Sequence, residues 1–185
     1  MPEIYSPEED SYLMSETLEK ELPKLLNKNP NLSFLEVGCG GGINLKTALD
    51  VGIKKNNILG TDVNFNAIKH CRGLGFNCVK SDLFEKVNGK FDIIIFNPPY
   101  LPLDKKEPMD SRIATTGGEK GNELIIKFLK GAKEHLNKNG NIFLITSSLS
   151  PDISFGKLRY KAKEIASKKL FFEKLSVWEL SLNMK

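Results

Sequence analysis

A short polar segment, Asn97-Pro98-Pro99-Tyr100, directly follows an apolar run that is rich in β-branched residues. The run, 91–96, is typical of a strand that is buried on both faces of a parallel sheet. The two prolines end this strand, because neither can donate to a ladder and each fixes its own φ. Ligands of open α/β sheets bind at the carboxyl ends of strands, so we expect a binding corner here.

This corner has the groups needed to hold a planar amine. The side-chain carbonyl of Asn97 and the main-chain carbonyl of Pro98 can accept both hydrogens of one –NH2 group, and Tyr100 can form an aromatic wall. An amide or exocyclic amine is a poor nucleophile because its lone pair is conjugated. Clamping its hydrogens favours a geometry in which the lone pair faces an electrophile, which is catalysis by positioning and preorganised dipoles. A Pro-rich turn, with Asn97 as an ordinary turn residue, is the structural alternative.

Three further strand ends carry groups that could hold a cofactor. Glu36 precedes the glycine-rich segment 38–42, Asp62 ends the second predicted strand, and Asp82 and Leu83 follow the third. A carboxylate at position 62 can accept from both ribose hydroxyls. Asp82 can accept from an adenine amino group while Leu83 packs on the ring. A plain tight turn, a helix cap at Asp62 and a loop aspartate at position 82 are the alternatives.

A nicotinamide or flavin dinucleotide fits this pattern less well. The dinucleotide fingerprint has glycine at positions corresponding to 38, 40 and 43, and position 43 is isoleucine. Glu36 would also repel a pyrophosphate, but it would not repel a ligand that carries an amine and a sulfonium.

Composition is that of an ordinary globular protein. The chain has 185 residues, 40% of them hydrophobic and 27% charged, with a net charge of +4. This length fits a single domain over 1–185. The three cysteines show no CxxC spacing, so we expect no disulfide framework, no internal zinc site and a cytoplasmic location. The amino terminus does not resemble a signal peptide, and no apolar run approaches the ~18 residues of a membrane span.

Alternating strands and helices predict an α/β fold with a mostly parallel sheet. We predict a helix that starts with a capping box at Ser6-Pro7-Glu8-Glu9 and ends near residue 27. Further helices are predicted at 43–51, 65–74, 120–137 and 155–168, with a helix stop at 138–140. Strands are predicted at 33–37, 57–61, 77–80, 91–96, 141–146, 170–176 and 177–183, the last two as a hairpin with one antiparallel strand. A loop is predicted at 97–119.

The ordered combination of Glu36, the glycine turn, Asp62, Asp82 and the corner resembles the class I S-adenosylmethionine-dependent methyltransferases over nearly the whole chain. The Asn-Pro-Pro-Tyr version of the corner is typical of members that methylate nitrogen in planar groups: adenine, guanine or glutamine. The resemblance implies a Rossmann-like fold with a seven-stranded sheet, helices on both faces and S-adenosylmethionine as the cofactor. No metal ion is expected.

Two stretches are similar to one branch of that superfamily. The segments 5–11 and 116–121 resemble the HemK-type release-factor glutamine methyltransferases, and 169–175 is similar to their small archaeal and eukaryotic branch. The resemblance implies methylation of the glutamine in the Gly-Gly-Gln loop of a class I release factor, with a small zinc-binding activator protein as partner. Lysine methylation is also attributed to this branch. Ser11 should then help hold the methionine carboxylate of the cofactor, and the loop 112–121 should shape the substrate mouth.

These considerations give a defined set of candidate residues. Catalysis is assigned to Asn97, Pro98, Pro99 and Tyr100, and cofactor binding to Ser11, Glu36, Gly38, Gly40, Asp62, Val63, Asp82, Leu83 and Asn97. Asp92, His70 and His135 are interpreted as structural or surface residues. An RNA or DNA amino-group methyltransferase, a protein lysine methyltransferase, a non-catalytic scaffold and a dinucleotide oxidoreductase remain as alternatives.

Overall fold

The computed structural model describes residues 4, 6–103 and 115–183 of the chain. The helices are α1 (Glu9–Leu26), α2 (Ile43–Val51), α3 (Phe65–Gly73) and α4 (Glu123–His135), with a short 3-10 turn at Lys55–Asn57. The strands are β1 (Phe34–Val37), β2 (Ile58–Asp62), β3 (Asn77–Lys80), β4 (Phe91–Phe96), β5 (Leu136–Ser147), β6 (Tyr160–Lys169) and β7 (Lys174–Leu182). None of the helices in these segments has the length and hydrophobicity that a membrane span needs.

The strands form one seven-stranded sheet in the order β3-β2-β1-β4-β5-β7-β6. The strands from β3 to β5 pair in parallel, and β7 runs antiparallel to both of its neighbours. The predicted Rossmann-like sheet with one antiparallel terminal strand is therefore confirmed. The chain order reverses between β1 and β4, and the crevice outside such a reversal is where ligands bind in sheets of this kind.

Apolar side chains cover both faces of this sheet. On β4, Ile93 and Ile95 belong to the core that α1, α2 and α3 complete, whereas Ile94 and Phe96 belong to the core under α4. This division follows from the alternation of side chains along a strand. It explains why β4 reads as a continuous apolar run, because both of its faces are covered. β1 and β4 lie between the two cores, and this packing fixes the positions of their carboxyl ends.

The first helix begins later than predicted and without the predicted capping box. Glu8 is the N-cap residue of α1 and makes no side-chain cap hydrogen bond. The first helical hydrogen bond of this end runs from the Tyr12 amide to the Glu8 carbonyl, at 3.0 Å. Ser6 therefore lies outside the helix. Pro7 disfavours helical backbone in the residue before it, which is a physical reason for the later start.

The carboxyl-terminal elements differ most from the prediction. Residues 160–169 form the edge strand β6 and not the predicted helix, because they pair along their whole length with β7. Tertiary pairing here overrides a helix-favouring composition. The hairpin exists, but its turn is 170–173, and 174–182 is one strand instead of two. Phe171 and Phe172 in that turn are 99% and 92% exposed.

The transition from α4 to β5 is also tighter than predicted. α4 ends at His135 and β5 begins at the next residue, so 138–140 is not the helix stop. Gly140 is needed there for another reason: a Cβ at this position would lie 2.8 Å from the main-chain oxygen of Asp92. The Asp92 carboxylate accepts from Ser33 and, through Oδ1, from the Asn137 side chain at 2.7 Å. Asp92 is thus a structural residue that fixes the start of β4, as predicted.

Candidate active site

The carboxyl ends of β1, β2, β3 and β4 surround a cavity of about 310 Å³. This volume is at the lower end of the range for small-molecule sites. Every residue that the sequence nominated for catalysis or cofactor binding lines the cavity: Ser11, Glu36, Gly38, Gly40, Asp62, Val63, Asp82, Leu83, Asn97, Pro98, Pro99 and Tyr100. The fold therefore brings together residues that are up to 89 positions apart in the sequence (11 to 100).

Asn97 links the corner to the first helix. Its Nδ2 donates to Ser11 Oγ at 3.5 Å, and Ser11 is buried on α1. The Asn97 Oδ1 is buried and has no hydrogen-bond partner among the described residues. A buried acceptor without a donor costs free energy, so this oxygen is suited to a ligand N–H.

The corner itself is held by the loop that follows it. The Leu101 amide donates to the Thr115 carbonyl and the Gly117 amide to the Leu101 carbonyl, both at 2.9 Å. A Cβ on Gly117 would lie 2.6 Å from the Pro99 oxygen, so this close approach requires glycine. The Ser150 hydroxyl also donates to the Tyr100 main-chain oxygen. Residues 112–114 of the predicted mouth loop, and Tyr5 of the predicted opening segment, lie outside the described residues.

Asp62, at the end of β2, holds the glycine turn (38–42) in place. The Asp62 carboxylate accepts from the Gly40 amide at 2.9 Å and from the Asn64 amide at 2.8 Å. Asp62 does not cap α3, because the N-cap residue is Asn64, whose side chain accepts from the Asn66 amide. Burial raises the pKa of Asp62, against the lowering effect of these backbone N–H groups. Its carboxylate retains lone pairs toward the cavity, which two hydroxyls could use.

Glu36 is buried under the same turn. Its Oε1 accepts from Asn44 Nδ2 at 2.8 Å, whereas Glu36 Oε2 and Asn44 Oδ1 are buried without a partner among the described residues. Burial raises the pKa of Glu36 to about 8. A cation next to these two oxygens would supply the missing donors and restore the charged carboxylate. The two oxygens therefore suit the N–H groups of a cationic ligand, and the predicted exclusion of a pyrophosphate stays a prediction.

The third acid is more exposed than the other two. Asp82 Oδ2 lies 2.8 Å from Lys127 Nζ on α4, and both side chains are largely solvated. An exposed ion pair of this kind contributes little stability, so a ligand can replace the lysine. The neighbouring Leu83 is buried and has φ 47°, a left-handed backbone that is uncommon for leucine. Such strain is found where a side chain is held toward a site.

Acidic residues also surround the outer part of the cavity. Glu8 and Asp10 line it near the start of α1. Burial raises the pKa of the Tyr100 phenol, and the charges of Asp10, Glu173 and Glu8 add to this effect. Tyr100 thus stays a neutral phenol at physiological pH, and the described residues that line the cavity include acids but no lysine or arginine.

Several residues that contact the site residues could not be identified from the sequence. Asn44, Lys127 and Ser150 meet the site through contacts that join distant elements, and no local pattern marks them. Of the two histidines, neither lines the cavity. His135 stacks on Phe84 with ring centroids 4.8 Å apart, in keeping with its interpretation as a helical residue outside the site.

Comparison with known proteins agrees with this geometry. The model of the family "Methyltransferase small domain" matches residues 11–155. A relative from Methanocaldococcus jannaschii that carries the name of a protein N5-glutamine methyltransferase is 37% identical, over 97% of this chain and 93% of its own length. The eRF1 methyltransferase catalytic subunit mtq2 of Schizosaccharomyces pombe is 28% identical over 77% of this chain and 72% of its own.

The solved structures include a fold neighbour of nearly the same extent. It is the E. cuniculi Mtq2–Trm112 complex, which methylates the eRF1 translation termination factor, with a TM-score of 0.70 and 22% identity. The match covers 98% of this chain and 99% of the other.

Proposed function

Because the chain belongs to the methyltransferase small domain family, we propose that it transfers the methyl group of S-adenosylmethionine to the side-chain amide nitrogen of a release-factor glutamine. The observation that carries this proposal is the Asn97 corner, where a buried acceptor that has no donor in the described part of the chain lines the same cavity as the glycine turn. The names of the relatives from Methanocaldococcus jannaschii and Schizosaccharomyces pombe support the choice of glutamine and release factor.

The residues of the inner cavity fit the proposed cofactor. Asp62 would accept from the ribose hydroxyls, Asp82 from the adenine amino group, and Val63 and Leu83 would pack on the ring. The unpartnered oxygens of Glu36 and Asn44 suit a cationic amine. Ser11 would help hold the carboxylate of the methionine part. When bound, S-adenosylmethionine supplies an electrophilic methyl group on a sulfonium.

The corner residues would position the nucleophile. Asn97 Oδ1 and the Pro98 carbonyl accept the two amide hydrogens, which turns the nitrogen lone pair toward the cofactor side of the cavity. Tyr100 packs on the amide plane and excludes water. The nitrogen becomes cationic as the bond to carbon forms, and its proton then leaves to solvent. No strong general base is required, and the neutral phenol of Tyr100 does not act as one.

The charge around the mouth favours a protein over a nucleic acid. Glu8 and Asp10 line the mouth of the cavity, and the charge of Glu173 also acts on Tyr100. A phosphate backbone would be repelled by this group of acids, because nucleic-acid binding depends on cationic side chains that neutralise phosphates. A protein loop with neighbouring basic residues would be attracted.

A small activator protein is the proposed partner, and the β3 edge of the sheet is its proposed binding surface. The opposite edge, β6, carries lysines that discourage pairing with another chain: Lys161, Lys163, Lys168 and Lys169. Next to β3, Phe65 and Leu74 are 58% and 51% exposed, whereas the more exposed Phe171 and Phe172 lie in the turn between β6 and β7 and not along the edge strand. The Mtq2–Trm112 complex supports a partner of this kind.

Leu74→Glu should abolish co-purification with the activator, and Lys163→Glu is the matched control that should not.

The decisive experiment is a transfer assay with purified release factor, with and without a candidate zinc-binding activator. Mass spectrometry should locate one added methyl group on the Gly-Gly-Gln glutamine, and a factor with Ala at that position should gain none. Methylation of a lysine, or of bulk RNA in a parallel reaction, with no change in the glutamine would contradict the proposal. A cytoplasmic location, where translation termination takes place, is proposed with it.

A further inference from the structure

Three cysteines that are far apart in sequence meet directly under the glycine turn. Cys39 lies in the turn itself, Cys71 in the last turn of α3 and Cys78 in β3. All three are buried free thiols. Their Sγ atoms lie within 4.8 Å of one another. The absence of a CxxC spacing in the sequence therefore does not prevent the fold from assembling a cluster of thiols.

The packing around the cluster leaves little freedom for these side chains. A Cβ on Gly42 would lie 3.0 Å from Cys71 Sγ, and one on Gly60 would lie 3.0 Å from Cys78 Sγ. The thiol of Cys71 also approaches the Gly40 carbonyl at 3.5 Å. The three sulfurs are thus held in a preformed arrangement by β1, β2, β3 and α3.

One cationic side chain lies next to the cluster. The Arg72 guanidinium donates to the Cys78 carbonyl through Nε at 2.9 Å and Nη2 at 2.7 Å. Thiolate is the form of cysteine that binds metals.

From this geometry we propose that Cys39, Cys71 and Cys78 form a site for a single soft metal ion, with Cu(I) as the ion that fits best. Three thiolates are the ligand set that soft ions prefer. The described residues provide no fourth cysteine, histidine or carboxylate in the group, so a closed four-ligand zinc site does not form. Cu(I) accepts three-coordinate sulfur. Binding breaks the S–H bonds of the coordinating thiols and releases their protons to solvent, without a change of oxidation state.

Cys39 also lines the cofactor cavity, which gives the ion an entry route. An ion bound to all three sulfurs would tie the glycine turn to α3 and β3. The floor of the cavity would then become stiffer.

The test is an anaerobic titration of the reduced, full-length protein with Cu(I) held by a chromophoric chelator. The protein should withdraw one Cu(I) per chain. Single Cys39→Ser, Cys71→Ser and Cys78→Ser variants should each bind at least 10-fold more weakly, while Ser148→Ala serves as a control that should not. Far-UV circular dichroism and thermal unfolding check that each variant is folded.

X-ray absorption at the copper edge of the unmodified protein provides a second readout that does not depend on the variants. Three sulfur neighbours around one copper are expected. No uptake from the chelator, uptake unchanged in a folded Cys71→Ser variant, or a copper coordinated mainly by nitrogen and oxygen would each overturn the proposal.

Discussion

The two ends of the Asn97 amide have different surroundings. Its nitrogen donates to Ser11 on α1, and its oxygen is left without a donor among the described residues. The contact with Ser11 fixes the orientation of the amide, and the unpartnered oxygen remains an acceptor for a substrate. A substitution at this position should therefore affect the chemical step more than the binding of the cofactor.

Replacement of Asn97 by alanine should abolish methyl transfer, because one of the two acceptors for the substrate –NH2 group is lost. The affinity for S-adenosylhomocysteine should change by no more than a few-fold. Single-turnover transfer and calorimetry measure the two quantities, with the exposed Asn29→Ala as the matched control. Retained transfer would exclude the clamp at the corner.

Replacement of Asp62 by alanine should weaken binding of S-adenosylhomocysteine by about 1–3 kcal/mol, the range for partners of a charged hydrogen bond that are left unpaired. Loss of the Gly40 and Asn64 contacts adds to this effect by loosening the turn. Isothermal titration calorimetry is the measurement, and Asp50→Ala on the exposed side of α2 is the control. An unchanged affinity would argue against the ribose role.

Glu36 should make the stability of the ligand-free protein depend on pH. Burial raises its pKa from 4.5 to about 8, so the folded state holds an extra proton between these values. Since the folded state binds more protons than the unfolded one, stability falls as pH rises through this window, by at most ~1.4 kcal/mol per pH unit for one group.

Urea unfolding of the protein and of Glu36→Gln at about pH 5, 6, 7 and 8 tests this expectation. The variant should lose the part of the slope that Glu36 causes, and Glu19→Gln, at an exposed position, should keep it. Equal slopes in all three proteins would show that Glu36 is ionised in the folded state.

At the scale of elements, the sequence predicts the first part of the chain well and the last part poorly. The strands that end at the cavity have strong local signals: continuous apolar runs followed by glycine, acid or proline. Residues 160–169 have a composition that suits a helix, and only their pairing with β7 makes them a strand. That pairing depends on contacts with another element, which periodicity within the segment does not contain.

The candidate site divides in the same way. Asp62, Asp82 and Asn97 could be nominated because each lies within two residues of the end of a predicted strand. Asn44 could not, since its role depends on reaching Glu36 across a helix turn. Ser150 and Lys127 likewise act across the fold, on Tyr100 and Asp82.

The packing of α1 gives a prediction at this scale. Leu18 is fully buried between α1 and the sheet, in the same core as Met14 and Leu22. Leu18→Ala should lower the free energy of unfolding by about 2–5 kcal/mol, the usual cost of a cavity at such a site. Leu149→Ala, at a position that is 45% exposed, is the control. A change below 1 kcal/mol, measured by urea unfolding, would mean that α1 packs loosely.

At the scale of the whole molecule, the protein has a positive net charge, but acidic side chains line its cavity. The net charge is +4, yet the described lining of the cavity and its mouth includes the acids Glu8, Asp10, Asp62 and Asp82, besides Glu36, which is protonated at neutral pH in the ligand-free protein. The lysines of β6 lie on the far edge of the sheet. This separation of charge orients a cationic ligand toward the cavity at long range.

The contact between Lys127 and Asp82 implies an unusual response of the protein to ionic strength. Lys127 occupies Oδ2 of Asp82, the residue proposed to accept from the adenine amino group, so binding of the cofactor competes with this surface pair. Dissolved salt weakens such a pair, since exposed charges are screened. Added salt should therefore slow cofactor association less than attraction between opposite charges alone would predict. Stopped-flow fluorescence measures the association rate. In the Lys127→Met variant, which lacks this ion pair, the association rate should fall with added salt as steeply as attraction between opposite charges predicts.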